Sequence, residues 1–328
     1  MKAVVYQEFG AASDVLRLDD METPVAGPGE VLVRVAFSGV NPSDVKARSG
    51  TRPGVTKPAF PVIIPHSDGS GVIEAVGEGV DPSRVGERVW IWNGQWQRAL
   101  GTCSEYIALP ASQAVALPDG VSLESGAVLG IPGLTAAHCV FGGGAVTGKT
   151  VLISGGAGTV GYLAVQLAKW GGAKVIATGS PRDFDRMTAA GADHVVDYRS
   201  ETLAADILAA NSGACLDMAV EVEFGVNVGL LAEVMAENAR VAIYGSAKNM
   251  APEIPFGPLL FKALTLDIVL IYILPEVPRA EAISQLHAAL TDGALDLPIA
   301  HVFPPQEAAQ AHEAVEAGGR AGAVLVGF

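Results

Sequence analysis

The sequence predicts an α/β protein in two parts, a β-rich region of short strands followed by a doubly wound parallel sheet, and three observations carry that expectation. From residue 1 to about 120, short β-branched and aromatic stretches are separated by Gly and Pro. From about 120 to 290, apolar strands alternate with Ala-rich helical segments, the signature of βαβ units on a parallel sheet. A glycine-rich loop stands between the first of those strands and its helix.

In the first region the strand candidates are 31–35, 72–76, 88–92 and 105–109, bounded by punctuators such as Pro28-Gly29, Gly69 and Pro110. Strands at this spacing suggest a barrel or irregular sandwich. In the second region the candidates are 151–154, 174–178, 194–196, 216–220, 240–244 and 266–271. Six parallel strands make a complete dinucleotide-binding sheet. Helices are expected from Pro278 to Asp292 and over 305–316, with a last short strand over 323–326. No internal repeat or low-complexity tether interrupts the chain.

Half of the 328 residues are hydrophobic and 17% are charged, so the chain can bury a large core and is not disordered. Acidic residues outnumber basic ones by 35 to 21, for a net charge of −14, and no basic run interrupts that balance. A polyanion is repelled by such a chain, which argues against nucleic acid as a partner. The longest hydrophobic run, 268–274, is far short of the roughly 20 residues a membrane helix needs. The apolar start over residues 1–6 is too short for a signal segment. A cytoplasmic protein without a membrane partner is therefore expected. Cys103, Cys139 and Cys215 fit neither a disulfide framework nor paired zinc ligands, which favours a reducing compartment.

The loop segment 151–161 reads VLISGGAGTVG, in which Gly156, Gly158 and Gly161 satisfy G-x-G-x-x-G. The motif lies directly after an apolar strand and at the mouth of an amphipathic helix. There the first glycine permits the tight turn, the second lets the backbone approach a pyrophosphate, and the third lets helix pack on strand. The helix start offers unpaired N–H groups and a positive dipole end to phosphates. A ligand-free glycine turn is the competing reading, and the strand and helix on either side count against it.

The next strand ends in Thr178-Gly179-Ser180, where an NAD-binding sheet carries an acid for the adenosine ribose. No acid stands there. Arg182 follows instead and suits a 2′-phosphate through a charge-assisted pair, which favours NADPH. Asp183 and Asp185 weaken that case, and an ordinary solvated arginine is the other reading of Arg182.

Several further segments occur together and in order: Asn41-Pro42-Ser43-Asp44 with Arg48-Ser49-Gly50, then SDGSGVIEAVG over 67–77, then Gly86-Glu87-Arg88-Val89. With them come GIPGLTAA over 130–137, GADHVVDY over 191–198, Gly245-Ser246 and Ala311-His312-Glu313. Over nearly its whole length the chain resembles the zinc-independent medium-chain dehydrogenase/reductases, and within them the NADPH:quinone oxidoreductase group that includes zeta-crystallin. The resemblance implies a GroES-like catalytic domain from residues 1–120 with 293–328, and a Rossmann NADPH-binding domain over 121–292. It also implies an active site in the interdomain cleft and a homodimer.

Carried over by position, the resemblance places Asn41 near the nicotinamide and substrate and gives Thr135 the carboxamide. Gly158, Thr159 and Val160 match the pyrophosphate loop, beside Gly156 and Gly161. Ser180 and Tyr198 match residues around the adenosine phosphate, and Gly245 with Ser246 lies beside the nicotinamide ribose. For Thr135 and Ser246 a plain cap or turn role weighs nearly as much. Two positions depart from the group. Lys46 stands where a tyrosine is common, as either a hydrogen-bond donor or acid to a carbonyl, or a solvated lysine. Ala323 follows Gly322 where a lysine is common, so that Arg320 nearby is either a substitute phosphate contact or a surface charge.

The zinc alcohol dehydrogenases of the same superfamily hold their metal with Cys, His and a further Cys or Asp. Here the Cys position is Asn41 and the His position Ser67, and the stretch 90–106 has Cys103 alone of the four cysteines a zinc lobe needs. No metal is expected. His66 and Asp68, on either side of Ser67, read as a hydrogen-bonded pair. Cys139 beside His138 reads as a buried core thiol. Trp90, Trp92 and Trp96, interleaved with Asn and Gln, form either a pocket wall for a flat substrate or local core.

The function expected is hydride transfer from NADPH to a quinone or α,β-unsaturated carbonyl, with Asn41 and then Lys46 as the catalytic candidates. The alternatives are an enoyl-thioester reductase, or an NADPH-binding protein with a structural or sensory role. The net charge of −14 offers no basic patch for the phosphates of coenzyme A.

Overall fold

In the computed structural model, residues 1–51 and 54–328 are described. The strands in chain order are β1 (Lys2–Val5), β2 (Arg17–Asp20), β3 (Glu30–Val40), β4 (Asp68–Val76), β5 (Arg88–Ile91), β6 (Tyr106–Pro110) and β7 (Ala114–Ala116). They continue with β8 (Thr150–Ile153), β9 (Lys174–Gly179), β10 (His194–Asp197), β11 (Leu216–Glu221), β12 (Met235–Ile243), β13 (Thr265–Ile268), β14 (Ile299–Phe303) and β15 (Ala323–Gly327). The chain divides into two compact units, residues 1–131 with 297–328, and residues 132–296.

The first unit is built on a seven-stranded sheet ordered β14-β15-β3-β4-β5-β7, with β6 also pairing β3. β3 is its spine. Val31, Val33 and Val35 are buried at every second position along it, because a strand with one face on the core alternates inward and outward. They pack with Ile73, Val89, Ile91, Ile107 and Leu109. The C-terminal strand β15 returns to pair antiparallel with β3, Val324 opposite Val40, so the tail completes the N-terminal sheet. The helix Ala308–Ala317 buries Ala308, Ala311 and Val315 against Val4, Val40 and Val326.

The second unit holds six parallel strands in the order β10-β9-β8-β11-β12-β13. The chain starts at β8 in the middle, winds outward to β10, then returns to β11 on the other side, so β8 and β11 flank the switch point. β9 is buried along nearly all of KVIATG and shows no alternation, as expected where helices cover both faces of a sheet. The architecture is the expected α/β pair of a GroES-like unit and a Rossmann unit.

The unit boundaries fall at 131/132 and 296/297, against the expected 120/121 and 292/293. Residues 121–131 stay with the first unit because the Ser70 hydroxyl donates to Leu123 O and the Asp68 carboxylate accepts from Ile131 N at 2.8 Å. β12 starts at Met235, five residues before the expected strand, across a register shift against β11. The apolar run after β13 turns into a 3-10 segment, Ile271–Ile273, so that strand ends earlier than hydrophobicity alone suggests. Among the described residues no helix is long and apolar enough to cross a membrane.

Candidate functional site

In the second unit, the ends of β8, β9, β10 and β12 carry nearly all of the expected binding residues. The turn after β8 is fixed by backbone. Gly156 N donates to Thr178 O at 2.9 Å, and Gly155 N to Thr178 Oγ1 at 3.3 Å. The helix Thr159–Trp170 follows at once with Gly158 as its N-cap.

Whether the loop fits a dinucleotide is tested by the room at each glycine. A Cβ on Gly161 would lie 2.2 Å from Gly155 O, and one on Gly156 would lie 2.9 Å from Ala177 Cβ. Both positions are closed by the protein itself. A Cβ on Gly158 would meet only Gly155 O, at 3.5 Å. The exposed Gly158 therefore keeps a backbone approach open to an outside group at the helix start, where N–H groups and the dipole favour phosphate. The cradle fits a pyrophosphate.

Ser180, Arg182 and Tyr198 come together at the ends of the adjacent strands β9 and β10, with Tyr198 N donating to Gly179 O at 3.3 Å. Arg182 is exposed and its Nε lies 3.5 Å from Asp183 Oδ2. Arg199, which the sequence reading passed over, is held on Asp197 by two contacts of 3.1 and 3.3 Å and lies over the Tyr198 ring.

Gly245 follows β12, where a Cβ would lie 2.3 Å from Val222 O. The Ser246 hydroxyl accepts from Gly225 N at 2.8 Å and donates to Asn249 O, so its proton serves the loop. Thr135 is buried in the helix Leu134–Phe141. Glu221, unmarked by any motif, is a buried carboxylate at the end of β11. It accepts from Ser154 Oγ at 3.1 Å and Asn227 Nδ2 at 3.0 Å, and burial raises its pKa. Its signal is an acid directly after the apolar run Met218-Ala219-Val220.

In the first unit, Asn41 caps the helix Pro42–Ser49. Its backbone N–H donates to Asp44 Oδ2 at 2.8 Å, and its side-chain Nδ2 donates to Asp68 Oδ2 at 2.7 Å. Asn41, Asp44 and Asp68 are all buried. Burial, and next the charge of Asp44, push the Asp68 carboxyl well above the usual range, while its hydrogen bonds from Asn41 and Ile131 oppose that rise. Lys46 lies on the exposed side of the same helix, whereas Val45 and Arg48 face inward. Arg320 is half-buried, with Nη1 donating to Val315 O at 3.3 Å.

His66 and Asp68 are not a hydrogen-bonded pair, contrary to the reading of their alternation. His66 takes a positive φ of 76°, which turns its ring away from the strand pattern. Its Nε2 meets His312 Nε2 at 2.9 Å and its Nδ1 meets Ser38 Oγ at 2.8 Å. The protons in this buried chain have one consistent direction. Thr102 donates to Asp68 O, so its oxygen accepts from Ser38, 2.8 Å away, and Ser38 accepts from His66 Nδ1–H. His66, held neutral by burial, then has a bare Nε2 that accepts from His312 Nε2–H.

Trp90 is fully buried in β5, which settles its role as core, and Trp92 Nε1 donates to Ser112 O at 3.2 Å. Cys139 is buried, and burial pushes its thiol up to about 12. Among the described residues, no group of three or more His, Cys, Asp or Glu side chains is placed to hold a metal ion.

Comparison with known proteins gives consistent matches. The profile of the alcohol dehydrogenase GroES-like domain matches residues 27–119, and that of the zinc-binding dehydrogenases matches residues 159–288. A quinone oxidoreductase of Sus scrofa is 30% identical over 315 residues, covering 95% of this chain and 93% of that protein. A 2-methylene-furan-3-one reductase of Solanum lycopersicum is 32% identical over 210 residues, 61% of this chain and 53% of that protein. A mycobacterial protein solved in complex with NADPH has a TM-score of 0.87 and 26% identity, covering 100% of both chains.

Proposed function

The chain belongs to the quinone oxidoreductase family of the medium-chain dehydrogenase/reductases, and from that membership we propose an NADPH-dependent oxidoreductase that reduces a quinone or another α,β-unsaturated carbonyl. The observation that carries this reading is the glycine cradle, closed by protein at Gly156 and Gly161 and open at Gly158. When bound, NADPH supplies a hydride from the nicotinamide ring. The backbone of Gly158, Thr159 and Val160 holds the pyrophosphate against the helix dipole. Ser180, Arg182 and Tyr198 receive the adenosine phosphate end. Thr135, Gly245 and Ser246 line the nicotinamide end, with Arg320 as an additional phosphate contact.

Asn41 is the polar contact beside the reacting atoms, and Lys46 is the hydrogen-bond donor or acid for the carbonyl oxygen. Quinones and enones suit such a site because the negative charge that develops is delocalised onto an oxygen that donors can stabilise. The NADPH complex of the mycobacterial protein supports the cofactor, and the furanone reductase supports an enone acceptor. A reducing cytoplasm is the compartment proposed, on the sparse spacing of Cys103, Cys139 and Cys215 in the sequence.

The partner proposed is a second copy of the chain. Among the described residues β13 pairs with β12 alone at the edge of the six-stranded sheet, and Ile268 on β13 and Phe261 shortly before it in the chain are 80% and 86% exposed. An apolar open edge of this kind is a template for pairing. Light scattering of Ile268→Asp tests it, with a monomer expected.

A panel of quinones, enones and enoyl-CoA esters, run with NADPH and NADH, tests the activity. NADPH oxidation with a quinone or enone is expected. Turnover confined to the thioesters would reassign the substrate class. Tight NADPH binding with no turnover on the panel would sink the enzyme reading in favour of a structural or sensory role.

A further inference from the structure

Asparagine is a poor positioner by itself, because its amide can present either oxygen or nitrogen in a given direction with little difference in shape. At Asn41 the neighbour removes that freedom. Asp68 Oδ2 receives Asn41 Nδ2 at 2.7 Å while its Oδ1 receives Ile131 N, so both carboxyl oxygens act as acceptors in this arrangement and a flipped Asn41 amide would face Oδ2 with a second acceptor. Asp68 is itself immobile. Its Oδ1 accepts from Ile131 N at 2.8 Å, and its backbone carbonyl accepts from the Thr102 hydroxyl. Gly130 packs so closely that a Cβ there would lie 2.1 Å from Asp68 Oδ1. At the other end of residue 41, Asp44 holds the backbone N–H.

We propose that Asp68 is the positioning residue for Asn41: its carboxyl group commits one Nδ2 proton inward and so fixes where the second Nδ2 proton is offered to nicotinamide and substrate. This rests on the reading of Asn41 as the contact beside the reacting atoms. The two carboxylates divide the work, Asp44 fixing the main chain of residue 41 and Asp68 fixing its amide. The pairing joins residues 27 positions apart, on a helix cap and at the start of β4.

Asp68→Asn tests the proposal with little change of shape. The amide introduced at position 68 can still accept from Ile131 N through its oxygen, and it then turns an NH2 group toward Asn41, forcing the Asn41 amide to flip. The variant is expected to bind NADPH within about threefold of wild type while kcat/KM falls on the order of 10- to 100-fold, as for a misplaced catalytic contact. The loss should fall on kcat. Asn41→Ala with Asp68→Asn should be no slower than Asn41→Ala alone, because Asp68 acts through Asn41.

Selective 15N-asparagine labelling gives a readout independent of turnover. In the wild type the Asn41 NH2 group should show one proton shifted downfield and protected from exchange, and Asp68→Asn should abolish that asymmetry. Wild-type kcat/KM in Asp68→Asn, or losses that multiply in the double variant, would overturn the proposal. Two equivalent, freely exchanging Asn41 protons in the wild type would overturn it even if Asp68→Asn did not fold. Full activity in Asn41→Ala would instead remove the role given to Asn41 itself.

Discussion

The glycine loop of the second unit is shaped by main chain, whereas the Asn41 centre of the first unit is shaped by buried side chains. Gly156 N reaches Thr178 O, Gly158 caps a helix, and Gly161 leaves no room for a Cβ. Asn41, Asp68, Thr102, Ser38, His66 and His312, by contrast, come from separate stretches of chain and meet through side-chain groups, apart from the Thr102 hydroxyl, which donates to the Asp68 main-chain carbonyl. A main-chain site tolerates changes of side chain and fails where an atom is added. A side-chain site tolerates changes of shape and fails where a donor or acceptor is lost.

The largest effect expected from that contrast is at Gly161. Gly161→Ala puts a Cβ 2.2 Å from Gly155 O, which only backbone movement can relieve, and it should destabilise the second unit by about 3 kcal/mol. Gly158→Ala has the same chemistry and the opposite outcome. Its φ of −71° and ψ of 162° suit alanine, so the melting temperature should hold, while the methyl group fills the approach to the cradle and weakens NADPH binding at least about tenfold. Calorimetry and NADPH titration of the two variants separate these effects; equal melting temperatures would break the assignment of their roles.

The same contrast decides how much was legible in the sequence. Main-chain geometry leaves its mark on local spacing, which is why Gly156, Gly158 and Gly161 and the existence of the parallel strands are legible directly, while the order of those strands in the sheet is not. The N-terminal strands are legible from β-branched and aromatic stretches bounded by Gly and Pro, and the alternate burial of Val31, Val33 and Val35 appears only in the structure. The return of β15 to β3 was not in any local pattern and came only through resemblance. The partners of His66 were illegible for a similar reason. His312 lies 246 residues away, and nothing within a window of either histidine points to the other. Alternation pairs Asp68 with His66, whereas its partners are Asn41 and Ile131, because alternation along a strand says which residues share a face and not what crosses to meet them.

The histidine chain supplies the next effect. His312→Leu leaves the His66 Nε2 lone pair buried without its donor, at a cost of about 1–3 kcal/mol at neutral pH. Burial lowers the pKa of both rings, with the neighbouring His312 adding to the effect on His66 and Arg48 to that on His312, which is brought to about 3. In the unfolded chain each ring takes its proton near pH 6.5. Below that the unfolded state binds more protons, so each histidine withdraws about 1.4 kcal/mol of stability per pH unit as pH falls, down to about 3 for His312. The raised carboxyls of Asp68 and Glu221 act in the opposite sense, so the informative quantity is the difference between wild type and variant. Denaturant midpoints at about pH 7.5 and 5.5 should show that difference shrinking in acid. A constant difference would mean that His312 takes up its proton alike in the folded and the unfolded chain.

The smallest effect concerns Arg182, the one candidate contact in the second unit that depends on an exposed side chain carrying a charge. Its guanidinium stands beside Asp183, 3.5 Å away at the surface, so the pair contributes little to stability and the carboxylate competes with any incoming phosphate. Removing the cation should raise the Kd for NADPH and leave that for NADH unchanged. Removing the carboxylate should do the reverse: Asp183→Asn frees Arg182 and lifts a repulsive charge, tightening NADPH about two- to fivefold with NADH unaffected. Both shifts should shrink with added salt, since the groups are exposed. Titrations of NADPH and NADH at two ionic strengths distinguish this from a change in the cradle, which would move both cofactors together and leave the salt dependence intact. An Arg182→Ala variant with unaltered NADPH preference would move phosphate recognition to Ser180 and Tyr198, and the cofactor choice of this unit would then rest on hydroxyl groups and main chain.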